Sequence, residues 1–240
     1  MSSINRITWK FISHIARGGV AKPNNGETPV WEPFLMVYNN ALIVYYSDQR
    51  DKAHGQKMVH QTTTDLYHWT DPVDDVAYPT YSNRPGMPTV AKLPNGQYIM
   101  MYEYGGAKEG GYATYYKFAT DPLKFGSATG QVLKSADGTV PTSSPYVVWT
   151  EAGGPNGTLV VSANSDTALF LNRRLGASNA WEKVATKERR SYTRSLTVMP
   201  NTGNILIAGA GSLPPSNNRY VDAGMVSVGA ITNPKECPKV

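Results

Sequence analysis

One marker returns along this chain at a nearly fixed distance, and that spacing limits the fold more than any other feature. Thr63-Thr64-Asp65-Leu66-Tyr67-His68-Trp69 is followed by Ala119-Thr120-Asp121-Pro122-Leu123-Lys124-Phe125, with 56 residues from Asp65 to Asp121 and 56 from Trp69 to Phe125; a further 56 leads to Trp181. A second marker keeps step. Pro33, Pro88 and Pro145, at intervals of 55 and 57, each open a strand-like run. Each run leads through a turn into a second strand: Pro94-Asn95-Gly96 into Gln97 to Tyr102, and Pro155-Asn156-Gly157 into Thr158 to Ala163. A fourth copy runs from Arg194 through Pro200-Asn201-Thr202-Gly203 into Asn204 to Ala208. Asn-Gly between apolar runs is a hairpin signal. Leu159-Val160-Val161 and Ile205-Leu206-Ile207 read as strands buried on both faces. No stretch carries amphipathic helix periodicity with caps. Several short strands in a unit of fifty-odd residues describe an all-β, β-propeller architecture of about four blades; the competing reading is a β-sandwich with coincidental spacing.

Composition agrees. The 240 residues include 15 Tyr, 22 Gly and 17 Pro, the aromatic strands and turn formers that blades need. The 17% of charged residues is too low for a disordered chain. The net charge of +5 is dispersed, Arg189-Arg190 being the densest basic pair, so no stripe suited to nucleic acid exists. No apolar run approaches a membrane span, and Met1 to Lys10 has no apolar signal-peptide core. Cys237 is the only cysteine, which excludes an intrachain disulfide. His54 and His60 lack ligand spacing and a cysteine partner, so neither a metal nor another cofactor is expected. Asn156-Gly157-Thr158 is a glycosylation sequon, but Asn-Gly also makes the hairpin turn. Thr8-Trp9-Lys10-Phe11 reads as the last strand of an earlier blade. The expectation is therefore one propeller domain over 1–240 that begins mid-blade, lacks N-terminal blades, and self-associates if its ring is open.

The repeats supply an internal control for function. The residue before the opening proline is Glu32, then Met87, then Ser144, with Thr193 in the fourth copy; only the first is ionisable. At the end of the second strand, Glu103 aligns with Ser47, Asn164 and Ala210, again with one carboxylate among them. An acid at the end of the apolar strand Met100-Met101-Tyr102-Glu103-Tyr104 needs a hydrogen-bond partner or a cavity. Two acids from adjacent blades can face each other across the central channel. Glycoside hydrolysis uses such a pair; the alternative is that each pairs structurally with an arginine. Asp65 and Asp121 are turn residues, whose carboxylates accept N–H groups of their own turn while the ring four positions later packs between sheets.

These residues carry a resemblance. Val30-Trp31-Glu32-Pro33-Phe34-Leu35 with Ala41 to Asp51, Arg84-Pro85-Gly86-Met87-Pro88, Met101-Tyr102-Glu103-Tyr104, Ser143-Ser144-Pro145-Tyr146 and Arg190-Ser191-Tyr192-Thr193-Arg194-Ser195 are similar to glycoside hydrolase family 93. The resemblance implies a sialidase-like six-bladed propeller, secreted, that releases arabinobiose from the ends of α-1,5-linked arabinan with retention. It places the family's two catalytic glutamates on Glu32 and Glu103, and about two blades of the family have no counterpart here. Glu32 as nucleophile and Glu103 as acid/base is the favoured assignment, because an apolar strand raises a carboxyl's pKa; the reverse is open. Tyr192, Arg194, Tyr104, Asn164 and Arg84 are expected to contact sugar. Two other readings compete: a family 43-like arabinanase or arabinofuranosidase with Asp48 or Asp166 as base, and a non-catalytic sugar-binding propeller.

Overall fold

The computed structural model describes residues 3, 5, 7–213, 215–217 and 219–229; Cys237 lies outside them. It is an all-β propeller of four blades, each an antiparallel meander of consecutive strands. Blade 1 is β1 (Val30–Tyr38), β2 (Ala41–Asp48), β3 (Lys57–Thr63) and β4 (Val73–Val76). Blade 2 is β5 (Arg84–Lys92), β6 (Tyr98–Gly105), β7 (Ala113–Ala119) and β8 (Gln131–Val132). Blade 3 is β9 (Tyr146–Thr150), β10 (Thr158–Ser162), β11 (Leu169–Asn172) and β12 (Trp181–Val184). Blade 4 is β13 (Ser195–Val198), β14 (Ile205–Gly209) and β15 (Asp222–Val226). Among the described residues the only helical element is the 3-10 turn Phe125–Ser127, and no helix is long and apolar enough to cross a membrane.

Strand alternation builds the core. Along β6, Tyr98, Met100 and Tyr102 join Ile43, Tyr45 and Met58 between blades 1 and 2. The intervening Ile99 and Met101 join Val147, Leu159, Val161 and Trp181 between blades 2 and 3. Val160, on the opposite face of β10, packs with Leu196, Ile205 and Ile207 of blade 4. A strand buried on both sides has no polar face, which explains the continuous apolar runs. The expected turn anchors are present. Asp65 accepts the N–H groups of Tyr67 and His68, both at 2.8 Å, and Asp121 accepts that of Leu123 at 3.0 Å. Phe125 and Trp181 are fully buried between blades.

The N-terminal strand is not formed. Among the described residues the first strand is β1; Trp9 and Phe11 are 60% and 57% exposed. A strand needs a neighbouring ladder, and no sheet precedes blade 1 in these residues. Instead Ile15 and Ala16 lie on Val44, Tyr46 and Val59, together with Trp69, whose indole donates to Ser13 Oγ at 3.1 Å.

The inner strands carry the feature that shapes the site. The register of β1 on β2 shifts between Trp31 and Phe34, and that of β5 on β6 between Gly86 and Thr89. The residue at each bulge is left-handed: Glu32 (φ 58°) and Met87 (φ 57°). Ser144 (φ 51°) and Thr193 (φ 55°) repeat this conformation just before β9 and β13. Proline at the next position has no N–H to lose from the ladder, which suits a bulge. Four equivalent positions thus share one strained backbone geometry, the kind of strain that persists where surrounding structure over-determines it.

Candidate active site

Glu32 and Glu103 line one pocket of about 450 Å³, with Pro23, Trp31, Gln56, Arg84, Tyr112, Ser143, Tyr192 and Leu213. Each reaches it for a local reason. The bulge turns Glu32 out of the alternation of β1. Glu103 continues the Ile99–Met101 row of β6, which faces blade 3.

Each carboxylate is gripped by the backbone of the next blade. Glu32 Oε2 accepts the N–H of Met87 at 2.9 Å and the hydroxyl of Ser47 at 2.8 Å. Glu103 Oε2 accepts the N–H of Ser144 at 2.8 Å. Both backbone donors, Met87 and Ser144, are left-handed residues. Ser47, which stands in blade 1 where Glu103 stands in blade 2, makes the homologous contact, accepting from Met87 N at 3.3 Å.

Burial governs the protonation of the pair. It raises Glu32 above the usual carboxylate range, against the opposing hydrogen bonds from Ser47 and Met87 and the charge of Arg84. It raises Glu103 to about 7, with the neighbouring charge of Glu32 adding to the rise and the Ser144 N–H and Arg84 opposing it. Tyr192 is pushed up to about 12, by burial first and then by the charges of Glu32 and Glu103. The two acids and the tyrosine therefore sense one another electrostatically.

The expected sugar contacts divide. Tyr192 and Arg84 line the pocket. Tyr104 does not: as the neighbour of Glu103 on a strand it faces the opposite side, stacked on Tyr78 at 4.0 Å and accepting from Asn83 Nδ2 at 2.8 Å. Arg194 does not reach the pocket either. It is 1% exposed and donates to the carbonyls of Thr167, Ala168 and Arg189, holding loops of blades 3 and 4 together. Asn164 acts through its backbone, its N–H donating to Ser143 O at 2.8 Å, and its side chain is not part of the pocket lining. Neither candidate aspartate base lines the pocket: Asp48 pairs with Arg50 at 2.6 Å, and Asp166 pairs with Lys183.

Sequence reasoning missed Trp31, Gln56, Tyr112 and Ser143. Gln56 and Tyr112 sit in the loops joining the second and third strands of blades 1 and 2, and Leu213 sits in the equivalent loop of blade 4. That shared loop class was the available signal. Tyr112 is also left-handed, at φ 60°.

No protein-family model and no curated protein matches the chain. Solved structures do. An α-L-arabinofuranosidase of glycoside hydrolase family 93 from Fusarium graminearum, solved with arabinobiose, is 49% identical with a TM-score of 0.92, over 95% of this chain and 66% of that one. A Penicillium chrysogenum α-L-arabinanase complexed with arabinobiose is 49% identical with a TM-score of 0.90, over 95% and 65%. The chain thus spans just under two thirds of the length of these relatives. An exo-β-1,3-galactanase from Phanerochaete chrysosporium, at 13% identity and a TM-score of 0.55, shares the fold alone.

Proposed function

We propose that this chain, which belongs to glycoside hydrolase family 93, is an exo-acting arabinanase that releases arabinobiose from α-1,5-linked arabinan with retention of configuration. The observation that carries the reading is the carboxylate pair. Two acids from adjacent blades meet in one pocket, and the protein environment treats them differently. Two relatives 49% identical to this chain form complexes with arabinobiose, which supports the substrate class.

Glu103, whose carboxyl burial pushes up to about 7, suits a general acid. It passes its proton to the glycosidic oxygen as the bond to the anomeric carbon breaks. Glu32 carries two donors on one oxygen, which favours its anion, and it attacks the anomeric carbon to form a glycosyl ester. Glu103, now ionised, takes a proton from water, which attacks the same carbon and frees Glu32. Trp31 and Tyr192 offer the apolar walls, and Gln56 a polar contact, for the sugar. The family reading supports a secreted enzyme.

The test is product analysis on linear α-1,5-arabinan. Arabinobiose should appear first while viscosity falls slowly, because cutting from ends leaves most chains long. Free arabinose as first product, or a rapid viscosity drop, would reject the reading. Glu32→Gln and Glu103→Gln should each abolish turnover in a folded protein. With an activated substrate, azide should restore turnover to a Glu103 variant with retained configuration, and to a Glu32 variant only as the inverted azide.

A further inference from the structure

Arg84 stands at the pocket with both carboxylates, yet its four η hydrogens are taken up by the protein. Nη1 donates to Asn25 Oδ1 at 2.7 Å and to Gly55 O at 3.4 Å. Nη2 donates to Gln49 Oε1 and Gln56 Oε1, both at 2.7 Å. Four acceptors thus occupy the four η hydrogens of the guanidinium.

The partners are themselves tied to the pocket wall. Gln49, 3% exposed, accepts the Trp31 indole N–H at 2.9 Å and donates to Asn24 O at 3.0 Å. Gln56, 6% exposed, donates to Pro85 O at 2.9 Å. One guanidinium therefore joins the segment around Asn24 and Asn25, the end of β2, the loop before β3 and the start of β5. Trp31 and Gln56, both pocket residues, are held through it. Such a fork has geometric specificity that an ammonium lacks.

We propose that Arg84 is a positioning residue: it fixes Trp31, Gln56 and the wall around Asn25, and supplies the fixed positive charge beside Glu32 and Glu103, rather than gripping sugar. The inference rests on the hydrolase reading for its role in turnover, and on geometry alone for its role in the pocket. The ionisable groups facing the pair are Arg84, Tyr192 and Tyr112. Among the described residues that line the pocket Arg84 is the one cation, and its charge pulls both glutamates toward the ionised form.

The experiment is a carboxyl NMR titration of protein labelled at the glutamate side chains, as the parent, Arg84→Met and Arg84→Lys. In the parent the Glu103 midpoint should lie at about 7. In Arg84→Met both midpoints should rise, by roughly half a pH unit or more. In Arg84→Lys the charge remains, so the midpoints should hold. One ammonium cannot reach four acceptors, however, and kcat should fall about tenfold or more with little change in KM. Unmoved midpoints in a folded Arg84→Met would overturn the proposal. So would a raised KM for arabino-oligosaccharides with unchanged kcat in both variants, the signature of a sugar contact through Nε. If Arg84→Met fails to fold, Arg84→Gln, which keeps part of the hydrogen bonding without the charge, carries the same test. A chain that hydrolyses nothing but whose midpoints shift would refute the hydrolase reading and leave the positioning role intact.

Discussion

Glu103→Gln should inactivate this protein and, at neutral to alkaline pH, make it more stable. The carboxyl is 8% exposed, and its midpoint is raised from 4.5 to about 7. In the unfolded chain the group ionises near the lower value. Between the two values the unfolded state loses its proton while the folded state keeps it. Rising pH therefore favours unfolding through this group. The effect is absent below about pH 4.5 and complete above about pH 7. At about 1.4 kcal/mol per pH unit, the gap corresponds to roughly 3 kcal/mol. An amide of the same shape has no such dependence, and its oxygen can still accept the Ser144 N–H.

Urea denaturation of parent and variant at pH 4, 6 and 8 isolates the term. The two should be nearly equal at pH 4, and the variant should exceed the parent by about 3 kcal/mol at pH 8. For a chain of this size that is a rise in Tm on the order of 10 °C. The charge of Glu32 is one cause of the raised midpoint, so in a Glu32→Gln background the gain should shrink. A stability difference that is flat across pH would mean that Glu103 is not held in a costly environment. The general-acid assignment would then lose its physical basis.

Three further outcomes are expected. A Cβ at Gly86 would fall 2.7 Å from Gln56 Nε2 and 3.2 Å from Glu32 Oε2, so Gly86→Ala should displace Glu32 and, on the proposed function, cut kcat on arabinan oligosaccharides by about a hundredfold, with Tm changing little. Thr193 is exposed, β-branched and left-handed at φ 55°, so Thr193→Gly should stabilise the fold by about 1 kcal/mol in urea denaturation; a loss would show that its side chain does more than the strain costs. Leu35 and Val37, 54% and 75% exposed on one face of β1, should drive concentration-dependent association in sedimentation velocity, which Val37→Glu should suppress.

The repeat reading recovered much of this arrangement because blades force equivalence. An odd carboxylate at a repeated position was visible without coordinates, and Glu32 and Glu103 do share a pocket. Tyr104 was misread for want of the strand rule: the residue after Glu103 on β6 must face the other way, and it packs on Tyr78. Arg194 occupies the place that proline holds in the other three blades, so its alignment beside a site position said nothing of where a long side chain would go. It donates instead to the backbone carbonyls of Thr167 and Ala168. Gln56 and Tyr112 belong to loops, whose lengths differ between blades, so no repeat could align them. The Arg84 network was illegible for a related reason. Its acceptors lie up to 59 residues away, from Asn25 to Arg84, and only the packing of blade 1 against blade 2 brings them together.

The four left-handed residues explain why the pair stands where it does. At a bulge the N–H leaves the ladder and becomes free to donate elsewhere. In blade 2 that N–H, of Met87, goes to Glu32 and Ser47; in blade 3 the equivalent N–H, of Ser144, goes to Glu103. The backbone strain in one blade is therefore spent on a carboxylate from the blade before it. Ser47 can take the same contact without becoming an acid, so the anchor belongs to the scaffold and the chemistry to whichever side chain meets it. Donors fixed by backbone do not reorganise when charge appears on the carboxylate, which is the condition under which a hydrogen bond contributes most to a charged step. Two repeated positions per blade, one at the bulge and one at the end of the second strand, thus form a framework that would serve any pair of side chains. In this chain glutamate fills one such position in blade 1 and the other in blade 2, and the pocket that residues of all four blades line becomes the candidate site.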